Sequence, residues 1–138
     1  MIDVDDLADF VVERGARGWD GVANATGESM ALGALLALAR ETAGHTGDLD
    51  EGGDGWLTAH DVAHWAGPRS LPLWLPRDMP GFATRSIAAY RAAGGRLRDV
   101  RETLERTLRD ERERGLDRER KSGLSRAEEL ALLAELSG

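Results

Sequence analysis

At 138 residues with a formal net charge of −7, the chain is one domain by size, and its acidity argues against a general nucleic-acid or anionic-membrane role. Of its 57 hydrophobic residues 20 are alanine, and Leu, Ile, Val and Phe together make only 21% of the chain, so the expected core is thin unless a partner completes it. Without cysteine there are no disulfides and no thiolate chemistry; with no apolar run near 18 residues and no secretory segment after Met1, a cytoplasmic location is expected.

Charge is unevenly placed. Residues 1–68 carry 13 acids and 3 bases, whereas residues 69–138 carry 12 acids and 15 bases. The two halves can attract each other, although solvated faces commonly account for such splits. No internal repeat is present.

The first element is a helix after Asp3, with Val4, Leu7, Phe10, Val11 and Arg14 recurring at helical spacing. Asp3 is a good N-cap, Asp5 and Asp6 suit the positive helix start, and Gly15 is a good stop. Capping outweighs metal binding as the reading of these acids. Gly21 to Thr26 reads as one short buried strand. Gly27 breaks it, and an apolar helix follows through Met30, Leu32, Leu35, Leu36, Leu38 and Ala39, closed by Gly44.

Residues 45–66 hold two metal-like patterns. Asp50, Asp54 and Asp61 fall at positions 1, 5 and 12 of a calcium-type loop, but Gly52 occupies position 3 and Asp61 is shorter than the usual bidentate Glu. His60 and His64 are four apart, which on a helix capped by Thr58 and Asp61 puts both imidazoles on one face. The plainer reading is a short amphipathic helix with Val62, Trp65 and Ala66 inward. No residue is assigned as a metal ligand.

All four prolines, Pro68, Pro72, Pro76 and Pro80, fall in residues 67–81 and impose an extended loop. Leu71, Leu73, Trp74 and Leu75 make it too apolar for a solvated linker. Such a loop either lies over a core or lines a pocket for an apolar ligand or partner. Beyond it, Thr84 to Ala93 reads as a short helix stopped by Gly94 and Gly95. Asp99 with Glu102 caps a longer helix, Val100 to Arg114, and residues 109–123 form a charged helix end and linker. Ser125 with Glu128 caps a last helix, in which Leu130, Leu133, Ala134 and Leu136 can dock on the body. The basic residues of this tail read as solvated surface rather than a phosphate site.

In order, the blocks IDVDDLADFVV (2–12), GVANATGESMALGALLALAR (21–40), LPLWLP (71–76), RETLERTLRDERERG (101–115) and KSGLSRAEELALLAEL (121–136) resemble the C-terminal part of extended short-chain dehydrogenase/reductases. This is the NAD-dependent epimerase/dehydratase family, and the likeness is to a branch of actinobacterial reductases. The resemblance implies a mainly α chain with one or two short strands, the C-terminal portion of a Rossmann-type α/β protein. Residues 1–44 would finish the sheet-associated part, 45–115 form the substrate lobe, and 116–138 a charged linker and last helix. It implies a substrate loop at Leu71, Leu73, Trp74 and Leu75, and an NAD(P)-dependent reductase or epimerase activity for the whole protein.

The chain lacks the Gly-rich turn that receives the pyrophosphate and the Tyr-x-x-x-Lys pair that moves the proton. Its only tyrosine, Tyr90, is followed four residues on by Gly94. No catalytic or cofactor-binding residue is therefore assigned. NAD or NADP is expected only if a Rossmann partner is supplied, and the expected partners are that separate chain or a second copy. A small interaction module and a calcium or zinc protein are the alternatives. A strand edge at 22–26 and part of the helix from Ala31 to Ala43 are expected to lie open.

Overall fold

A computed structural model describes residues 1–79, 81, 82 and 84–137. Pro80, one of the four prolines of the loop, lies outside the described residues. Six helices and a minimal two-strand sheet make the described chain mainly helical.

Helix α1, Val4–Ala16, starts where the sequence placed it: the Asp3 carboxylate accepts a hydrogen bond from the Asp5 amide at 2.9 Å, and Asp5 and Asp6 occupy the first turn. It runs one residue past Gly15. Phe10 is its buried anchor, whereas Val4, Val11 and Val12 are 73%, 59% and 69% exposed, so only part of the apolar stripe faces inward.

The strand expected at Gly21 to Thr26 is absent: residues 19–31 belong to no helix or strand, and Val22 is 92% exposed. A strand is held by its ladder to a neighbour, and among the described residues nothing pairs with this segment. Helix α2 follows as Leu32–Ala43, closed by Gly44 in the left-handed conformation at φ 67°. It packs against α5 yet contains no buried residue, with Leu36 45% exposed. This helix does lie partly open, as expected.

Helix α3 spans Asp54–Ala59 and so begins before Thr58, not at it; Gly53 is its N-cap, and the Thr58 hydroxyl donates back to the Asp54 carbonyl at 2.8 Å. It stops at His60 because Asp61 adopts φ 57°. His60 and His64 consequently do not share a helical face. Of the three residues expected inward, Val62 is buried, but Trp65 and Ala66 are exposed.

His64 belongs to β1, Ala63–His64, which pairs in parallel with β2, Ser70–Leu71. Parallel neighbours ordinarily need a crossover of about a dozen residues or more. Here left-handed backbone at Trp65, Gly67 and Arg69 winds the chain back across residues 65–69. Ser70, fully buried, donates to the Gly67 carbonyl at 2.7 Å and accepts from the Gly123 amide at 3.2 Å, which pins the C-terminal linker to this turn.

Helix α4 is Ala88–Ala92, shorter at its start than expected, and α5 is Val100–Arg114 as the sequence indicates. The Asp99 carboxylate caps α5 through the Arg101 amide, while Glu102 turns to Arg98 at 3.6 Å instead of completing a capping box. In α6, Arg126–Leu136, both halves of the Ser125–Glu128 box form. Its anchor is Leu132, 7% exposed; Leu130 and Ala134, expected to dock, face solvent.

The core is split and small. Leu57, Val62, Trp74 and Leu132 form one cluster. Phe10 and Tyr90, with ring centroids 4.6 Å apart and Trp19 edge-on to Phe10, form the other. The accessible surface is 9881 Å², whereas a compact monomer of 14.9 kDa exposes roughly 7000 Å². The thin core expected from composition is visible as this excess.

Candidate functional site

The loop of residues 67–82 divides its apolar side chains between two sides. Trp74 enters the core with Leu71 packed beside that cluster, while Leu73 and Leu75 line a cleft of about 840 Å³. The loop thus contributes to the core and to the cleft wall. Pocket-forming side chains and core anchors alternate along it because Leu73 takes φ 69°, which reverses the direction of the chain between them.

Trp74 is held in place by chemistry the sequence did not disclose. Its indole Nε1–H donates to Asp54 Oδ1 at 3.0 Å, and its ring stacks on His64 with centroids 3.8 Å apart. Arg77 pairs with the other Asp54 oxygen. The Arg77 hydrogen bond, seconded by that from Trp74, holds the Asp54 carboxyl below the usual carboxylate range. Asp54 is therefore a tryptophan anchor. His60 likewise serves packing: it stacks on Trp56 at 3.9 Å and sits 3.0 Å from Glu135 on α6. Among the described residues no group of three or more His, Asp or Glu is placed to hold a metal ion.

The opposite wall of the cleft comes from the start of α1, residues 25–30, and the starts of α2 and α5. Gly27 is required there: a Cβ on it would meet the Met1 carbonyl oxygen at 1.3 Å. The α1 and α5 starts are bolted together by Arg98. Its backbone N–H and Nε both donate to the Asp6 carboxylate at 2.8 Å, and Nε stands 3.6 Å from the buried Asp3. Arg106 adds contacts to Asp3 and Asp5. The hydrogen bond to Asp6 raises the Arg98 pKa against the opposing effect of desolvation.

Charge complementarity between the chain halves is real and specific. Asp3, Asp5, Asp6, Glu28, Glu41 and Asp54 from the acidic half pair with Arg98, Arg106, Arg91, Arg101 and Arg77 from the basic half.

No protein-family model, curated protein or solved structure matches the chain.

The only tyrosine has a structural place. Tyr90 is 0% exposed, and its hydroxyl donates to the Arg96 carbonyl at 2.7 Å. Burial, with Asp6 nearby, raises its pKa. Trp65, Phe82 and Arg85, which no sequence motif marks for a site, also line the cleft. Trp65 and Phe82 meet edge-to-face at 5.1 Å. Trp65, expected inward on a helix, reaches the cleft through the left-handed turn at φ 65°.

Proposed function

We propose that these 138 residues are the substrate-side C-terminal segment of an NAD(P)-dependent reductase or epimerase of the extended short-chain dehydrogenase/reductase type. The segment works with a nucleotide-binding half that they do not contain. The observation that carries this reading is the excess of about 2900 Å² of accessible surface over a compact monomer of the same mass. One partner's share of a permanent interface is about 1000–2500 Å² or more, so an interface at the large end of that class accounts for most of it. Its distribution supports the same reading. The block at 21–26, which in the resembling family adds to the nucleotide-binding sheet, is unpaired here with Val22 outward; α2 has no buried residue; and Val4, Val11 and Val12 form an exposed apolar face.

In this role the cleft between the 73–85 loop and the α1, α2 and α5 starts holds substrate. The partner half brings the dinucleotide, the tyrosine and the lysine. This chain supplies shape and solvent exclusion, and its own Tyr90 stays out of the chemistry because it is sealed in the core. Supplying a recombinant nucleotide-binding half with the Gly-rich turn and Tyr-x-x-x-Lys tests the reading. Substrate-dependent NAD(P)H turnover should require both parts, and turnover by that half alone at the same rate contradicts it.

The exposed α1 face favours a second reading, a small interaction module whose Val4, Val11 and Val12 dock on another protein or a second copy. A stable homodimer, disrupted by Val11→Glu and indifferent to the nucleotide-binding half, would support it instead.

A further inference from the structure

The charges around the cleft are nearly all spoken for. Asp6 accepts both donors of Arg98, Glu28 pairs with Arg91, and Asp99 caps α5. Arg85 is the exception: among the described residues it lines the cleft with no hydrogen bond or ion pair to another side chain or to the backbone. Beside the mutually paired Asp3, Asp6, Glu28, Arg91 and Arg98 and the capping Asp99, a bound molecule meets apolar side chains and one unclaimed guanidinium.

The apolar part of the wall is partly strained. Trp65, Leu73, Leu75, Phe82 and Met30 contribute side chains to the cleft. Trp65 and Leu73 both hold left-handed backbone, at φ 65° and 69°, which is costly for large residues and concentrates at ligand sites. The volume of about 840 Å³ is that of a small-molecule site.

We infer that the cleft binds an amphipathic monoanion: an apolar, ring-bearing body lying on Trp65, Leu73, Leu75 and Phe82, with a carboxylate paired to Arg85. The guanidinium fork matches a carboxylate in two parallel N–H···O bonds, and an aromatic ring beside it gains a cation–π contact. A neutral ligand leaves Arg85 to water, and a cation meets only repulsion from it. This inference rests on the cleft being the substrate side and names the substrate class, an aryl or polycyclic carboxylic acid.

The test uses the intact 138-residue chain and a matched pair of probes, 1-naphthylacetate and its uncharged amide, by isothermal titration calorimetry. The expected result is one site per chain with the carboxylate bound about fivefold or more tighter than the amide. Arg85→Gln should erase that preference and leave amide binding unchanged; Arg85→Lys should restore part of it. Circular dichroism melts establish that the variants stay folded. Equal affinities in the native chain, a preference that survives Arg85→Gln, or no binding of either probe overturns the inference. Because no nucleotide-binding half is present in this titration, its failure is separate from failure of the assembly reading, which turns on turnover with that half.

Discussion

Substituting Gly95 by alanine attacks the Phe10–Tyr90 cluster through backbone proximity alone. A Cβ at position 95 would stand 2.4 Å from Cζ of Tyr90 and 2.5 Å from Cε1 and Cε2, about 1 Å inside ordinary contact. The ring has nowhere to go. It is fully buried, lies 4.6 Å from the Phe10 centroid, and its hydroxyl donates to Arg96 at 2.7 Å. Moving it costs about 1–3 kcal/mol of overpacking and about 0.5–1.5 kcal/mol for the weakened hydrogen bond. A loss of about 3 kcal/mol lowers the melting temperature by about 10 °C in a chain of this length. Thermal and urea unfolding followed by circular dichroism measures it, with Gly53→Ala as the control, since nothing lies within 4 Å of a Cβ there and φ is −63°. Combining Gly95→Ala with Tyr90→Leu should recover part of the loss, because the second change removes the clashing ring. A Gly95→Ala chain that melts with the native protein would refute the packing described for Tyr90.

Tyr90 is the only tyrosine, so absorbance at 295 nm titrates it alone. Its pKa is raised by burial, and a phenol more protonated in the folded than the unfolded chain contributes stability that is present below about pH 10 and lost as pH rises further. The titration midpoint should lie above 10 and coincide with alkaline unfolding; a midpoint at or below 10 with the fold intact contradicts the burial. Asp54 has the opposite sign: its lowered pKa contributes stability present above the ordinary carboxylate range and lost as pH falls through the folded value. Acidification should therefore release the Trp74 indole, seen as a fluorescence red shift that Asp54→Ala shows already at neutral pH. Leu132→Ala, in the core at 7% exposure, should cost about 2–5 kcal/mol and free α6; amide exchange in residues 126–136 as slow as in the native chain would count against that docking. Val22→Lys, at a site 92% exposed, should change stability by less than about 0.5 kcal/mol while reducing self-association in light scattering; a large loss of stability would mean the residue is buried.

The elements readable in the sequence are those with local causes. Asp3, Asp99 and Ser125 cap α1, α5 and α6 as their side chains dictate, and Gly44 closes α2, because a cap is a contact over two or three residues. The strand expected at 21–26 does not form because small apolar residues signal burial without supplying a ladder partner, and among the described residues nothing pairs with the segment. The helix expected across His60 and His64 does not form because Asp61, Trp65, Arg69 and Leu73 adopt left-handed backbone; only Asp61 is of a type enriched there, and Trp, Arg and Leu give no such signal. That same backbone decides the cleft. It turns Trp65 toward Phe82 and separates Leu73 from Trp74, so the apolar loop was legible as important while its division between core and cleft was not. Arg85 carries no signal among 17 arginines; its distinction is the absence of a partner among the described residues, which is visible only once the other charges have found theirs.

The central claim, that this chain is one half of a two-part nucleotide-dependent enzyme, is tested most directly by amide hydrogen exchange at residues 21–26 with and without a nucleotide-binding half. Alone, these amides should exchange at rates near those of an unpaired segment, since residues 19–31 belong to no strand. In a 1:1 complex they should slow by orders of magnitude as the segment joins the partner's sheet. A chain that forms no complex, or whose residues 21–26 exchange equally fast within one, contradicts the account.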